Sequence, residues 1–190
     1  MQAQQRHDAK LAIEEFRQAV ALDPARAESH ARLGMAYQEF GKLPEAAASL
    51  AEALRLDPGL PGVGLLLGFT YQAMGRNREA IPHLGKALET ESELPVRVLA
   101  GQRLIDACFA SGETGRGLQA LDTLRKIAPD DPDVLYTASK VYANLWNSSV
   151  EHLVQTAPGS YRVHQVFAEV FEAQDRFADA AKEYRTILQM

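Results

Sequence analysis

The sequence lacks the features that mark a disulfide-stabilised protein, a membrane-spanning protein or a nucleic-acid binder. Its 190 residues include one cysteine, Cys108, so neither an intrachain disulfide nor a four-cysteine zinc site can form. The longest apolar run, residues 63–70, contains two glycines and is far shorter than the roughly 20 residues of a membrane-spanning helix. A net charge of −5 gives no general basic surface for phosphate groups. We therefore expect no membrane span and no binding to nucleic acid.

The sequence leaves the cellular compartment open. A single cysteine fits a reducing compartment, which favours the cytoplasm. Residues 1–10 are polar and do not resemble a secretory signal. An exported protein whose signal had been removed would nevertheless have the same features.

Patterns that carry catalysis or bind cofactors are also missing. No two of the five histidines have the i, i+4 spacing of a helical zinc motif. Gly62, Gly64 and Gly68 do not have the spacing of a dinucleotide fingerprint, and residues 112–117 lack the Lys-Ser/Thr pair of a phosphate loop. We therefore expect a protein that is not an enzyme and has no cofactor or metal site, although residues that converge from separate segments would escape this search.

A period of 34 residues organises the chain. A shift by one period aligns Leu22-Asp23-Pro24 with Leu56-Asp57-Pro58, Gly34 with Gly68, Tyr37 with Tyr71, and Gly41 with Gly75. Within each period, apolar residues recur every three or four positions, which is helical spacing. Prolines end the repeats, and Gly41 and Gly75 fall midway, where a glycine can end a helix in the left-handed conformation. Each repeat is therefore predicted to be a helix, a tight turn and a second helix.

These repeats resemble the tetratricopeptide repeat, whose pattern has the same length. The matching residues of the second repeat are Leu33, Gly34, Tyr37, Ala46, Leu50, Ala53 and Pro58, and only its first position, His30, departs from the usual aromatic residue. Those of the sixth are Phe167, Ala168, Phe171, Ala180, Tyr184 and Ile187. The resemblance implies an all-α fold, a right-handed superhelical solenoid of helical hairpins with about eleven helices.

The predicted repeats divide one domain, residues 1–190, into six parts. They are a partial first repeat at 1–24, a second at 27–60, a third at 61–94 with a junction insertion, a fourth at 98–131, a degenerate fifth at 132–158 and a sixth at 161–190. The fifth repeat is predicted to have a short second helix between Asn147 and Thr156. Cys108 takes the position of Tyr37 and Tyr71 in its repeat, which indicates a buried structural thiol.

The resemblance implies a scaffold that binds a peptide or a partner helix in a groove lined by the first helix of each repeat. The residues expected to face this groove are Met35, Gln38, Leu65, Leu66, Phe69, Gln72, Arg103, Asp106, Tyr136 and Lys140. Their apolar centre and polar flanks suit an amphipathic helix, or an extended peptide with one or two apolar anchors. In the alternative interpretation, Leu65, Leu66 and Phe69 pack against neighbouring second helices, or against a helix folded back from this chain, as part of the core.

Two further hypotheses follow from the same pattern. The chain could be a non-catalytic region of a larger enzyme or of a membrane-assembly factor, with the chemistry elsewhere. Apolar residues near Phe16 and Tyr184 have no covering helix in the pattern, which predicts self-association or contact with a partner there. No motif in the sequence identifies the protein or peptide that would bind.

Overall fold

The computed structural model describes the backbone of residues 2–190 and the side chains of residues 10–190. Over this range the chain forms ten α-helices and no β-strand. The helices are α1 (Gln2–Leu22), α2 (Ala27–Glu39), α3 (Leu43–Leu56), α4 (Val63–Ala73), α5 (Asn77–Thr90), α6 (Leu94–Ala110), α7 (Thr114–Ile127), α8 (Pro132–Thr156), α9 (Tyr161–Ala173) and α10 (Phe177–Gln189). The predicted all-α class is confirmed, with one helix fewer than expected.

The helices form two compact units, which we call the N-terminal unit (Met1–Thr137) and the C-terminal unit (Ala138–Met190). In the N-terminal unit, α2 pairs with α3, α4 with α5 and α6 with α7. Each second helix also packs on the first helix of the next hairpin, α1 on α2, α3 on α4 and α5 on α6. Because α2 contacts α4 and α4 contacts α6, the first helices lie side by side. In the C-terminal unit, α9 and α10 form a hairpin.

The two helices of each hairpin are joined by the same kind of turn. One residue at each turn has a positive φ, namely Gly41 (79°), Gly75 (73°), Gly112 (77°) and Asp175 (57°). The N–H of the next residue donates at 2.8 Å to the carbonyl five positions earlier, Lys42 to Tyr37, Arg76 to Tyr71, Glu113 to Cys108 and Arg176 to Phe171. This is the Schellman ending of a helix, in which glycine is favoured because it has no Cβ.

The fifth repeat is one helix rather than a hairpin. Helix α8 continues for 25 residues and includes the segment where a separate second helix was predicted. Residues 133–157 contain no glycine or proline, so no residue there breaks the hydrogen bonding of the helix or favours the left-handed turn. The prediction of a short second helix between Asn147 and Thr156 was wrong, and this accounts for the missing helix.

The extra residues between the third and fourth repeats lengthen a first helix. Helix α6 has 17 residues, against 13 in α2 and 11 in α4. Pro95 lies in its first turn, where the missing N–H of proline has no intrahelical partner to lose. The Arg97 side chain donates from Nε to the Leu88 carbonyl at 2.9 Å and so joins the start of α6 to α5.

Cys108 is fully buried, as predicted. Burial raises the pKa of its thiol, which keeps the residue in the unreactive protonated form. None of the helices in the described part of the chain is both long enough and apolar enough to cross a lipid bilayer.

Candidate partner-binding groove

A groove with a volume of about 500 Å³ crosses α2 between α1 and α4 in the N-terminal unit. We call it the α2 groove. Its apolar lining consists of Ala12, Phe16, Ala31, Met35, Ala36, Leu60, Pro61, Val63 and Leu66. Three charged residues of α2, Glu28, Arg32 and Glu39, also line it. An apolar surface bordered by a few charges can bury an apolar side chain of a partner and orient the partner by ion pairing.

Helical spacing explains why α2 presents these side chains together. Glu28, Arg32, Met35 and Glu39 are separated by steps of three or four residues, so they share one face of the helix. All four are exposed, and Met35 exposes 43 % of its surface although it is a large apolar residue. Residues on other faces of α2, such as Leu33, are buried. The exposed face is thus separate from the packing face.

The structure brings together two of the residues predicted from sequence, Met35 on α2 and Leu66 on α4, since both line the α2 groove. Leu65 is only 7 % exposed. It is therefore part of the core and not of the groove surface, which corrects its predicted placement. The two leucines differ because consecutive residues on a helix point about 100° apart.

Phe69, Gln72 and Arg103 fix α4 against α6. The guanidinium carbon of Arg103 lies 5.4 Å from the centroid of the Phe69 ring, which is a cation–π contact. The Gln72 side chain donates from Nε2 to the Arg103 carbonyl at 2.9 Å. Phe69 and Gln72 are both partly buried. These three predicted groove residues therefore join α4 to α6. Arg103 is exposed, whereas only part of the surface of Phe69 and Gln72 is open to a partner.

The remaining predicted residues lie elsewhere on the first helices. Gln38 is partly buried on α2, and Asp106 is exposed on α6. Tyr136 is 64 % exposed in the N-terminal part of α8. Lys140 is exposed and belongs to the C-terminal unit. None of these four side chains lines the α2 groove.

Sequence reasoning missed two kinds of lining residue. Leu60 and Pro61 lie in the connection between α3 and α4, where no helical period predicts their position. Arg32 and Glu28 could have been predicted, because they lie one and two turns before Met35 on the same face of α2.

The histidines contribute contacts within the fold. The Nε2 atom of His30 lies 2.9 Å from the Pro24 carbonyl oxygen, and Nδ1 of His164 lies 2.7 Å from Oε2 of Glu183. Across the residues whose side chains are described, no group of three or more His, Cys, Asp or Glu side chains is arranged to hold a metal ion.

Two family models, both described as tetratricopeptide repeat, match the chain at residues 2–61 and 71–141. Together they cover more than half of the sequence. No curated protein sequence matches the chain.

Several solved structures have a similar fold. MamA 41-end from Desulfovibrio magneticus RS-1 has a TM-score of 0.57 and 14 % identity, over 99 % of this chain and 88 % of that chain. The pilF protein of Pseudomonas aeruginosa has a TM-score of 0.61 and 17 % identity, over 97 % and 85 %. YrrB, described as a TPR protein with an unusual peptide-binding site, has a TM-score of 0.61 and 19 % identity, over 84 % of each chain. At these identities the similarity shows a shared fold.

Proposed function

Because this chain belongs to the tetratricopeptide repeat family, we propose that it is a non-catalytic protein-interaction scaffold that binds a partner through the α2 groove. Stacked helical repeats of this kind present extended surfaces to other proteins. The observation that carries the proposal is the exposed Met35 side chain, which lies in an apolar groove together with Phe16 and Leu66. Burial of such side chains is a main source of binding free energy in helix and peptide recognition.

The chemistry of the groove favours an amphipathic helix, or an extended peptide with one or two apolar anchors. The apolar anchor would contact Met35 and Leu66, and basic residues of the partner would pair with Glu28 and Glu39. Glu28 already lies 3.5 Å from Arg26, but an exposed pair of this kind is weak and can be exchanged for a partner's charge. The peptide-binding site described for YrrB, a protein of similar fold, supports a peptide as the class of ligand.

A displayed library of helical and extended peptides, selected on the purified protein, tests the proposal. Selected peptides should carry an apolar anchor, and Met35→Asp should weaken their binding at least tenfold because the apolar anchor would then have to desolvate a carboxylate. Leu118→Asp is the matched control. Leu118 is, like Met35, a large apolar residue with an exposed side chain (36 %), and it lies on α7, outside the groove. Peptides that bind both variants as tightly as the parent would contradict the proposal.

A further inference from the structure

A second cavity, of about 620 Å³, lies between the α3–α4 connection and α5. We call it the α5 cavity. Its apolar lining includes Leu54, Pro58, Leu60, Pro61 and Pro82. Leu60 and Pro61 also line the α2 groove, so the α3–α4 connection forms a wall common to both. The family pattern gives no function to this cavity.

Two hydrogen bonds hold the α3–α4 connection against α5. Lys86 donates from Nζ to the Pro58 carbonyl at 2.8 Å. The Gly62 N–H donates to Oε1 of Glu91 at 2.9 Å. Both bonds join residues of the cavity lining or its immediate border. These bonds fix the wall of the cavity, and a largely pre-formed cavity is usual for sites that bind small groups.

The two charged groups of the cavity differ in how well they are compensated. Glu91 accepts the N–H of Gly62, the N-cap residue of α4, and the positive end of a helix dipole stabilises a carboxylate at that position. Lys86 uses one of its three N–H donors on the Pro58 carbonyl. No ion pair of Lys86 occurs among the side chains that the structure describes. Glu91 stays negatively charged, but its Oε1 already accepts a hydrogen bond, whereas Lys86 keeps two N–H donors for an acidic group of a ligand.

His83 adds a flat polar group to the same lining. Its ring stacks on Tyr71 with a centroid separation of 5.8 Å. Burial, and then the positive charge of Lys86, lowers the pKa of His83, so the imidazole is neutral at neutral pH and has one donor and one acceptor nitrogen. Within residues 10–190 the ring has no hydrogen-bond partner. Both ring nitrogens are therefore available to a ligand.

We propose that the α5 cavity binds a ligand with an aromatic ring and a carboxylate. The ring packs among the proline and leucine side chains and against the His83 imidazole, where aromatic stacking is favourable. The carboxylate receives a charge-assisted hydrogen bond from Lys86. The C-terminal aromatic residue of a peptide and a free aromatic acid both have this chemistry. The proposal does not depend on the function of the α2 groove.

Titration with phenylpropionate, followed by amide NMR, tests the proposal. The probe should cause saturable shifts at Gly59, Gly62 and Lys86, and the neutral phenylpropionamide should bind about tenfold more weakly because it lacks the charge. Lys86→Met also removes the bond to the Pro58 carbonyl, which affects both probes. It should therefore weaken phenylpropionate about tenfold more than it weakens the amide. Equal binding of the two probes to the parent would overturn the assignment of the carboxylate to Lys86. An acetylated dipeptide that ends in a phenylalanine carboxylate distinguishes a peptide C-terminus from a free aromatic acid. If the cavity accepts a peptide, the dipeptide should bind at least as tightly as phenylpropionate; if it accepts only a free acid, the dipeptide should bind more weakly.

A blocking variant locates the probe in the cavity. Gly64 lines the cavity on α4, and the nearest atom to a Cβ at this position is the His83 carbonyl oxygen at 3.8 Å. A Cβ therefore fits at this position, and the rest of the side chain in Gly64→Leu should extend into the cavity. The variant should abolish probe binding and keep a melting temperature near that of the parent. Gly115→Leu is the matched control, because Gly115 is a helical glycine with no atom within 4 Å of a Cβ. Phenylpropionate that binds Gly64→Leu as well as the parent would refute the proposal. Met35→Asp should bind phenylpropionate as the parent does, because its substitution lies in the α2 groove and not in the α5 cavity.

Discussion

A Cβ atom on Gly68 would lie 2.6 Å from Cδ2 of Leu84, a side chain with no exposed surface. The first and second helices of the third repeat therefore approach as closely as they do only because Gly68 has no side chain. Gly34 stands in the same relation to Leu50, where a Cβ would lie 2.6 Å from Cγ. The 34-residue period thus repeats a packing contact as well as a residue type.

Gly68→Ala should lower the free energy of unfolding by about 1–3 kcal/mol, because the buried Leu84 must shift to admit a methyl group. Gly64→Ala, one turn earlier on α4, should raise it by about 0.5–1 kcal/mol, since alanine favours the helix and its Cβ has room. Urea denaturation of both variants measures the difference. Equal effects of the two substitutions would mean that the helix crossing at Gly68 is not tight.

Asp175 has a φ of 57°, a left-handed conformation that the other three hairpin turns assign to glycine. Asp175→Gly should therefore stabilise the α9–α10 hairpin by up to about 1 kcal/mol, because removal of the steric penalty at this φ exceeds the cost of the added freedom of the unfolded chain. Gln174 has a φ of −100°, so Gln174→Gly should destabilise by a similar amount through the added freedom of the unfolded chain. Thermal unfolding of both variants checks the prediction, and a lower melting temperature for Asp175→Gly would contradict it.

The sequence predicted the hairpins where a glycine lies at the turn, as at Gly41 and Gly75. A glycine midway through a repeat indicates the left-handed conformation that ends a helix. The sequence did not indicate Asp175 as the residue in the left-handed conformation, since aspartate is common in many other contexts. The continuous helix α8 could have been predicted from the absence of glycine and proline at 133–157. The partial match to the repeat pattern favoured a hairpin instead.

The groove was predictable in part. Met35 is the apolar member of an otherwise charged face of α2, so its exposure follows from the period. In α4, by contrast, Val63, Leu65 and Leu67 are buried while the adjacent Leu66 is only partly buried. Because the apolar residues of α4 extend around the helix, no hydrophobic pattern distinguishes its open face from its packed faces. The assignment of Leu65 and Leu66 needed the structure.

The unfolding free energy should depend on His83 in mildly acidic solution. Burial and Lys86 lower the pKa of His83 below its usual 6.5, so the unfolded chain binds a proton more readily than the folded chain. Stability should therefore fall as the pH decreases from about 6.5 towards the folded pKa, and the His83 contribution should level off below it. His83→Phe preserves the ring on Tyr71 and cannot be protonated. Denaturant unfolding at several pH values should show a smaller loss for this variant, and identical pH profiles would exclude a depressed His83 pKa.

Self-association through α10 stays a prediction, and the structure identifies the surface that would carry it. Phe177, Tyr184 and Leu188 are exposed by 64 %, 37 % and 86 %, and with Ala181 they form one stripe at helical spacing. The equivalent residues of α5, among them Ile81, Leu84 and Leu88, are buried. An apolar stripe of this kind favours a covering surface, here a second copy of the chain.

Light scattering at increasing protein concentration should therefore show a rise in mean mass that Leu188→Lys suppresses, because a charge in the stripe must be desolvated on association. Gln189→Lys adds the same charge beside the stripe and serves as the control for net charge. Since both positions are exposed, neither variant should change the melting temperature at low concentration. A constant monomer mass for the parent at every concentration, or an equal loss of mass in both variants, would show that the α10 stripe does not join copies of this chain.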